Sequence, residues 1–159
     1  MGLWDGLRDA KVFERGEWFD PGFDGIVEIK KVQAKPTRNK GDILFIECVV
    51  VELFDCPSHA DGRPKHPVGW RGSWSVKLQD KDIAFSNILS FVAAVSGYTK
   101  SQTVEIDRDV KPEVEQIMQN ATDYPENNLL TGQRLHLRTV GIKTKAGTNF
   151  TVHNWNPVS

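Results

Sequence analysis

The chain has 159 residues, a length typical of one domain that can bury a core without cross-links. A composition with 39% hydrophobic and 26% charged residues excludes a wholly disordered chain. The apolar runs are shorter than the ~20 residues that span a bilayer, and the N-terminus lacks the apolar segment of a signal peptide. Two cysteines, Cys48 and Cys56, are too few for a disulfide framework. We therefore expect a cytoplasmic protein without membrane association.

The net charge of −1 results from cancellation between segments of opposite sign. Residues 26–78 carry nine basic and six acidic side chains, and residues 134–159 carry four basic and no acidic ones. Residues 1–25 carry three basic and six acidic side chains, and residues 79–133 carry four and nine. This asymmetry predicts one basic and one acidic face. Chance clustering of solvated surface charge is the alternative interpretation.

Residues 1–24 are predicted to form an irregular arm. They mix charged residues with aromatic ones and end shortly after Pro21-Gly22. The aromatic side chains either pack back on the domain or dock on a partner. In the second case the arm would link copies of the chain into a homo-oligomer. Residues 25–159 are predicted to form the domain itself.

Three strands are predicted at the start of this domain. Residues 25–33 are rich in β-branched residues, and the basic segment 35–41 is predicted as a turn. Residues 42–54 are apolar on both alternating faces, which is typical of a central strand. Residues 70–78 alternate with period two, so that one face is expected in the core and the other in solvent. The core face comprises Trp70, Gly72, Trp74, Val76 and Leu78, and the polar face comprises Arg71, Ser73, Ser75 and Lys77.

A helical insert and a hairpin follow. Apolar residues recur at helical spacing through 83–95, and Gly97 is predicted to end that helix. A second short helix is predicted over 112–120, with its proline in the first turn. Residues 134–143 and 148–155 are predicted as two strands joined around Ala146-Gly147.

The predicted fold class is therefore mostly β with a helical insert. Five strands with a helix between the third and fourth is the order of an OB-like barrel, whose strand face and loops bind oligonucleotides. We expect that five-stranded barrel here.

No catalytic motif is present in the sequence. It lacks a phosphate-binding glycine-rich loop and a nucleophile elbow, so we expect a protein that is not an enzyme and has no cofactor. The nearest approach to a metal site is Cys56, His59, Asp61 and His66 in the loop 55–69. A structural zinc site needs four strong ligands at motif spacing, and the second close pair is missing. We expect no metal here, and a zinc-dependent enzyme is the alternative.

Aromatic and basic residues coincide on the predicted strands and on the loop 55–69. Single-stranded nucleic acid needs this combination, because cations follow the phosphates and flat rings stack on the bases. Trp74 is predicted to be core, whereas Trp70 and Trp155 are divided between packing and ligand contact. The candidate binding residues are Arg63, Lys65, Trp70, Arg71, Lys77, Arg138, Lys143, Lys145, Phe150 and Trp155.

The sequence resembles the phage-encoded single-stranded DNA-binding proteins of OB-fold type. The resemblance lies in residues 19–32 (FDPGFDGIVEIKKV), in Lys40-Gly41-Asp42 before the long apolar strand, in Lys145-Ala146-Gly147, and in the closing Trp155-Asn156-Pro157. It implies an OB-type fold and DNA binding without catalysis in phage replication or recombination. Many such proteins end in an acidic tail that recruits partners, and this chain does not. Replication or recombination proteins would therefore be recruited by the acidic segments at the N-terminus and at 105–126.

Two functions follow from these patterns. The first is a single-stranded DNA-binding protein without sequence preference, with its ligand across strands three to five and the loop 55–69. The alternative is a phage structural or protein-interaction module that has no nucleic-acid role.

Overall fold

A five-stranded antiparallel sheet forms most of the protein. The computed structural model describes residues 18–37, 41–78, 81–143, 145–147 and 149–158. The sheet order is β3-β2-β1-β4-β5, with every neighbouring pair antiparallel. The strands are β1 (Asp24–Thr37), β2 (Gly41–Asp55), β3 (Arg71–Lys77), β4 (Arg134–Lys143) and β5 (Asn149–Pro157).

The helical insert lies between β3 and β4, as the sequence predicts. It consists of α1 (Lys81–Val95), the short turn α2 (Thr103–Glu105), a π-helical turn (Ile106–Val110) and α3 (Lys111–Asp123). Gly97 follows α1 with a φ of 93°, a left-handed conformation that favours glycine after a helix. The predicted fold class, mostly β with a helix between strands three and four, is confirmed. None of the helices in the described ranges is long and apolar enough to cross a membrane.

The first strand is longer than predicted. The pairing of β1 with β2 continues from Lys35 opposite Ile43 to Thr37 opposite Gly41, so the basic segment 35–41 is mostly strand rather than turn. Its tip at 38–40 lies outside the described residues. β4 pairs with β1 only through Asp24–Glu28, and beyond it the Ile29 and Val32 amides donate to the Gln133 and Pro125 carbonyls of the loop before β4.

The inner face of the sheet packs against α1. The alternating residues Leu44, Ile46, Cys48 and Val50 of β2 are buried, as are Gly72, Trp74 and Val76 of β3. The predicted core position of Trp74 is therefore confirmed. Burial also raises the pKa of the Cys48 thiol well above its usual range, because the thiolate would lose its hydration.

An aromatic cluster joins the two edge strands. The ring of Trp74 on β3 lies 5.3 Å from that of Trp155 on β5, and Phe91 of α1 lies 5.0 Å from Trp155 and 5.5 Å from Trp74. Tilted and edge-to-face ring pairs at these distances add to the hydrophobic stabilisation. The outer strands β3 and β5 are thus brought together by side chains.

The segment 18–23 belongs to the folded domain. Phe19 and Phe23 are buried, and the Thr139 hydroxyl of β4 donates to the Asp20 carbonyl at 2.6 Å and accepts from the Phe23 amide at 3.0 Å. Of the two alternatives for the aromatic residues of the arm, packing on the domain holds for Phe19. Apolar burial thus packs residues 18–23 of the predicted arm on the domain, and residues 1–17 lie outside the described residues.

Replacing Thr139 by valine keeps the shape of the side chain but removes both hydrogen bonds. We expect Thr139→Val to lower the free energy of unfolding by about 1–3 kcal/mol, because the buried Phe23 amide loses its partner. Urea unfolding measures this change. The matched control is Thr122→Val, since Thr122 bonds only to helix carbonyls of its own α3. Equal stability of the two variants would contradict the role of Thr139.

His153 lies in the seam between β3 and β5. Its ring is stacked 6.3 Å from Trp155 and lies 6.1 Å from Trp74 and 6.4 Å from Phe19. Its Nε2 atom is buried and makes no hydrogen bond to a residue that the structure describes. Burial among these rings lowers the pKa of His153 to about 4, because the imidazolium would lose its hydration.

Acid should therefore weaken the fold through His153. The unfolded chain protonates this residue below about pH 6.5, whereas the folded chain does so only near pH 4. Its contribution is complete above pH ~6.5 and is lost as the pH falls towards ~4, with a total of about 3 kcal/mol at ~1.4 kcal/mol per pKa unit. Urea unfolding across this range should show the full loss in the wild type and in His59→Phe, and a loss smaller by about 3 kcal/mol in His153→Phe, where carboxylates such as Glu28 still titrate. A His153→Phe variant with an undiminished loss would refute this explanation.

Candidate nucleic-acid interface

The predicted binding residues fall into four places. Arg63, Lys65 and Trp70 lie together in the loop before β3. Arg71 and Lys77 lie at the two ends of β3, on its outer face. Arg138, Lys143, Lys145 and Phe150 belong to the β4–β5 hairpin, and Trp155 lies in the core.

Trp155 does not belong to a surface site. Only 1% of it is exposed, and its ring is enclosed by Trp74 and Phe91. A base could not stack on it without opening the core. Its place near the C-terminus suggested an edge position, but α1 and β3 cover this part of β5. Packing, not ligand contact, is therefore its role.

The outer face of β1, β2 and β3 carries a cluster that the sequence analysis missed. Lys35, Ile43 and Lys77 lie in one row across the three strands, and Gln33, Phe45 and Ser75 lie in the next. Lys31 lies beyond them on β1, opposite Glu47. We call the four residues Lys31, Lys35, Phe45 and Lys77 the lysine face.

Phe45 lies at the centre of the lysine face. Its ring is half-buried, and the Lys35 ammonium lies 6.0 Å from the ring centroid, within cation–π distance. Cross-strand neighbours are ~4.8 Å apart and successive rows are ~7 Å apart, so cations border the ring on both flanking strands. A flat ring bordered by cations is the arrangement that binds a base together with its phosphates.

The lysines of this face differ from most other cations of the protein in their ion pairing. Lys31, Lys35 and Lys77 form no ion pair with a residue that the structure describes, and the same holds for Lys143 and Lys145 of the hairpin. Most of the remaining cations are neutralised nearby. The pairs are Lys30–Glu28, Arg63–Asp61, Lys65–Asp20, Arg71–Glu47, Arg108–Asp109, Lys111–Asp107, Arg134–Glu28 and Arg138–Asp24.

The acidic charge is concentrated on the helical insert. In the second half of the insert, Arg108 pairs with Asp109 and Lys111 pairs with Asp107. Arg108 and the Tyr98 hydroxyl lower the pKa of Asp109 to about 2, because both bind its carboxylate. Most of the exposed negative charge therefore lies on the insert, although Asp42, Glu52 and Asp55 of β2 are also exposed. Further exposed acids of the insert are Glu113, Glu115, Asp123 and Glu126.

The loop before β3 forms an open cleft of about 930 Å³. Trp18 and Trp70 line it together with Arg63, Lys65 and His66. Trp18, which the sequence analysis assigned to the arm, is placed here by a parallel β-bridge to Ser73. The structure therefore brings three predicted residues together and adds a fourth from a distant part of the sequence.

The β4–β5 hairpin projects beyond the end of β1, because β1 pairs with β4 only as far as Asp24 opposite Arg138. Past this point β4 is exposed on both sides from Val140 onward. Ile142 and Phe150 are cross-strand partners and are 47% and 57% exposed. With Lys143 and Lys145 nearby, the hairpin offers both apolar and basic contacts.

The metal hypothesis is not supported by the geometry. Among the described residues, which include Cys56, His59, Asp61 and His66, no three His, Cys, Asp or Glu side chains are grouped so that they could hold a metal ion. His66 is also engaged elsewhere, since its Nε2 accepts a hydrogen bond from the Asp20 amide at 3.0 Å.

The chain matches no protein-family model and no curated protein.

Proposed function

We propose that the protein binds single-stranded DNA without sequence preference, by contacts rather than by catalysis, and that its sheet is an OB-like barrel. The strand order β3-β2-β1-β4-β5 with a helix between β3 and β4 supports the barrel, as does the contact between Trp74 and Trp155 of the two edge strands. In such barrels the face of strands two and three binds oligonucleotides.

The lysine face is the observation that carries this proposal. Its three lysines form no ion pair with a described acid, and the Glu47 carboxylate opposite Lys31 is paired with Arg71, so a phosphate can approach without breaking an ion pair. Phe45 offers a ring between them that stacks equally well on any base, which accounts for binding without sequence preference. The hairpin cations Lys143 and Lys145 extend the positive surface. A role in phage replication or recombination follows from the sequence resemblance alone.

The negative charge of the helical insert supports two separate binding surfaces, one on the strands for DNA and one on the insert for proteins. Its exposed acids would repel a polyanion and direct it to the strands, which is how a chain with net charge −1 binds DNA. The same acids are the surface on which replication or recombination proteins would dock.

The phosphate contacts can be counted by their salt dependence. We expect the double variant Lys35→Ala/Lys77→Ala to bind fluorescent oligo-dT at least tenfold more weakly at low salt. The slope of log affinity against log salt should fall by about 1.4, since each phosphate contact on a single strand contributes ~0.7. Fluorescence anisotropy at four salt concentrations measures both quantities.

Lys111→Ala is the control, because it removes a lysine charge from the acidic insert and leaves the lysine face intact. It should leave the slope unchanged and should not weaken binding. An unchanged slope in the double variant, or wild-type binding to duplex DNA as tight as to oligo-dT, would refute the proposed interface.

Phe45 can be tested separately from charge. Phe45→Leu keeps an apolar side chain on the sheet but removes the flat ring. We expect affinity for oligo-dT to fall about tenfold, because one stacked base contributes roughly 1–3 kcal/mol, while the salt slope stays that of the wild type. Phe54→Leu, which changes an exposed phenylalanine at the far end of β2, should bind as the wild type does. Equal affinity of the two variants would exclude Phe45 from the interface.

The hairpin favours a second candidate function. Its exposed apolar residues Val140, Ile142 and Phe150 would suit a phage structural or protein-interaction module without a nucleic-acid role. Such a module would not bind oligo-dT in the titration above at any salt concentration.

A further inference from the structure

We infer that the cleft before β3 is a subsite for one nucleotide of the bound strand, with the base against Trp18 and its phosphate on Arg63. This inference rests on the proposed function and extends it to a site separate from the lysine face. The cleft volume of about 930 Å³ lies in the range of ligand sites, roughly 300–1,000 Å³.

Trp18 provides the stacking surface. It is 50% exposed, although an indole is among the costliest side chains to leave in water. Its backbone is fixed by the bridge to Ser73, and the adjacent Phe19 is buried in the core. Trp18 therefore lines the cleft from a fixed backbone position, and half of its surface is exposed among the described residues.

Trp70 forms the fixed wall of the cleft. Its ring centroid lies 4.0 Å from that of His66 and 5.0 Å from that of Phe19, in tilted and edge contacts. These contacts hold Trp70 in place and leave it half-buried. The predicted role of Trp70 in ligand contact is thus limited to its exposed edge, and Trp18 becomes the main stacking residue.

Arg63 can bind a phosphate without losing its present partner. Its Nε atom donates to Asp61 at 2.6 Å, whereas its two terminal nitrogens make no hydrogen bond to a described residue. The guanidinium is 80% exposed, and the terminal nitrogens form the fork that binds phosphate oxygens. The Arg63 amide and guanidinium also lower the pKa of Asp61, so this carboxylate stays ionised and continues to orient Arg63.

Backbone hydrogen bonds hold the conformation of the loop itself. The His59 amide donates to the Arg63 carbonyl at 2.8 Å, the Lys65 amide donates to the Pro57 carbonyl at 2.9 Å, and Ser58 bridges Pro64. A preformed loop loses little conformational entropy on binding. Asp20, which lies 3.9 Å from Lys65, would repel a second phosphate, so the cleft suits a single nucleotide.

The cleft lies at the start of β3 and Lys77 of the lysine face lies at its end, with Trp70 on the core-facing side of the strand and Lys77 on the outer side. Trp70 immediately precedes β3, Trp18 pairs with Ser73 in its first half, and Lys77 ends it. Seven residues of extended strand are ~20 Å long, so one flexible strand of several nucleotides can contact both sites.

The test compares Trp18→Ala with Phe85→Ala, which removes an equally exposed aromatic side chain from α1. Oligo-dT binding is measured by fluorescence anisotropy. We expect Trp18→Ala to weaken binding about tenfold and Phe85→Ala to change it less than twofold. In a parallel experiment on the wild-type protein, an oligonucleotide containing 5-bromodeoxyuridine is cross-linked by light and the modified residues are mapped. We expect cross-links at Trp18.

The outcomes separate this inference from the proposed function. Wild-type affinity of Trp18→Ala, or cross-links that include Phe45 but never Trp18, would overturn the subsite and leave the lysine face standing. No binding of oligo-dT by the wild type would overturn both. Should Trp18→Ala fail to fold, cross-linking on the wild type decides the question by itself.

Discussion

The contact between the two edge strands is the constraint on which the rest of the structure depends. An open five-stranded sheet would expose Trp74 and Trp155 at opposite ends, but here their rings meet 5.3 Å apart beneath Phe91 of α1. The lysine face lies on the hydrogen-bonded neighbours β1, β2 and β3, and the loop cleft immediately precedes β3, so both sites adjoin the strand that carries Trp74.

The region between β3 and β5 also contains a buried histidine whose protonation would destabilise the core. His153 is placed among Trp74, Trp155 and Phe19, where only its neutral form is stable, and its Nε2 atom has no described partner. A phenylalanine would pack there without such a cost. The segment 18–23 covers this part of the seam and is held by the Thr139 hydroxyl and backbone, by His66 and by the bridge between Trp18 and Ser73.

Much of the fold follows from sequence periodicity. The alternation in β3 correctly places Trp74 inside and Arg71 and Lys77 outside, and β4 begins and ends where predicted, because local patterning determines which face is buried. The π-helical turn was not predictable, since no local signal distinguishes it from a loop. The sequence leaves Trp155 divided between packing and ligand contact, because nothing near it in the chain shows that α1, about sixty residues earlier, covers it.

The lysine face was missed for a different reason. In β2 both alternating faces are apolar, which indicates a central strand but hides the fact that Phe45 lies on the outer one. Only the register pairs Phe45 with Gln33 and Ser75, two polar neighbours that leave its ring accessible. Counting charges by segment likewise predicts the sign of the net charge of each region. It does not predict which lysines and arginines form ion pairs. Arg71 and Arg138, both predicted binding residues, are paired with Glu47 and Asp24, whereas Lys31 and Lys35 are not. Three-dimensional pairing of opposite charges, more than the number of lysines and arginines, therefore decides where a phosphate chain can bind this protein.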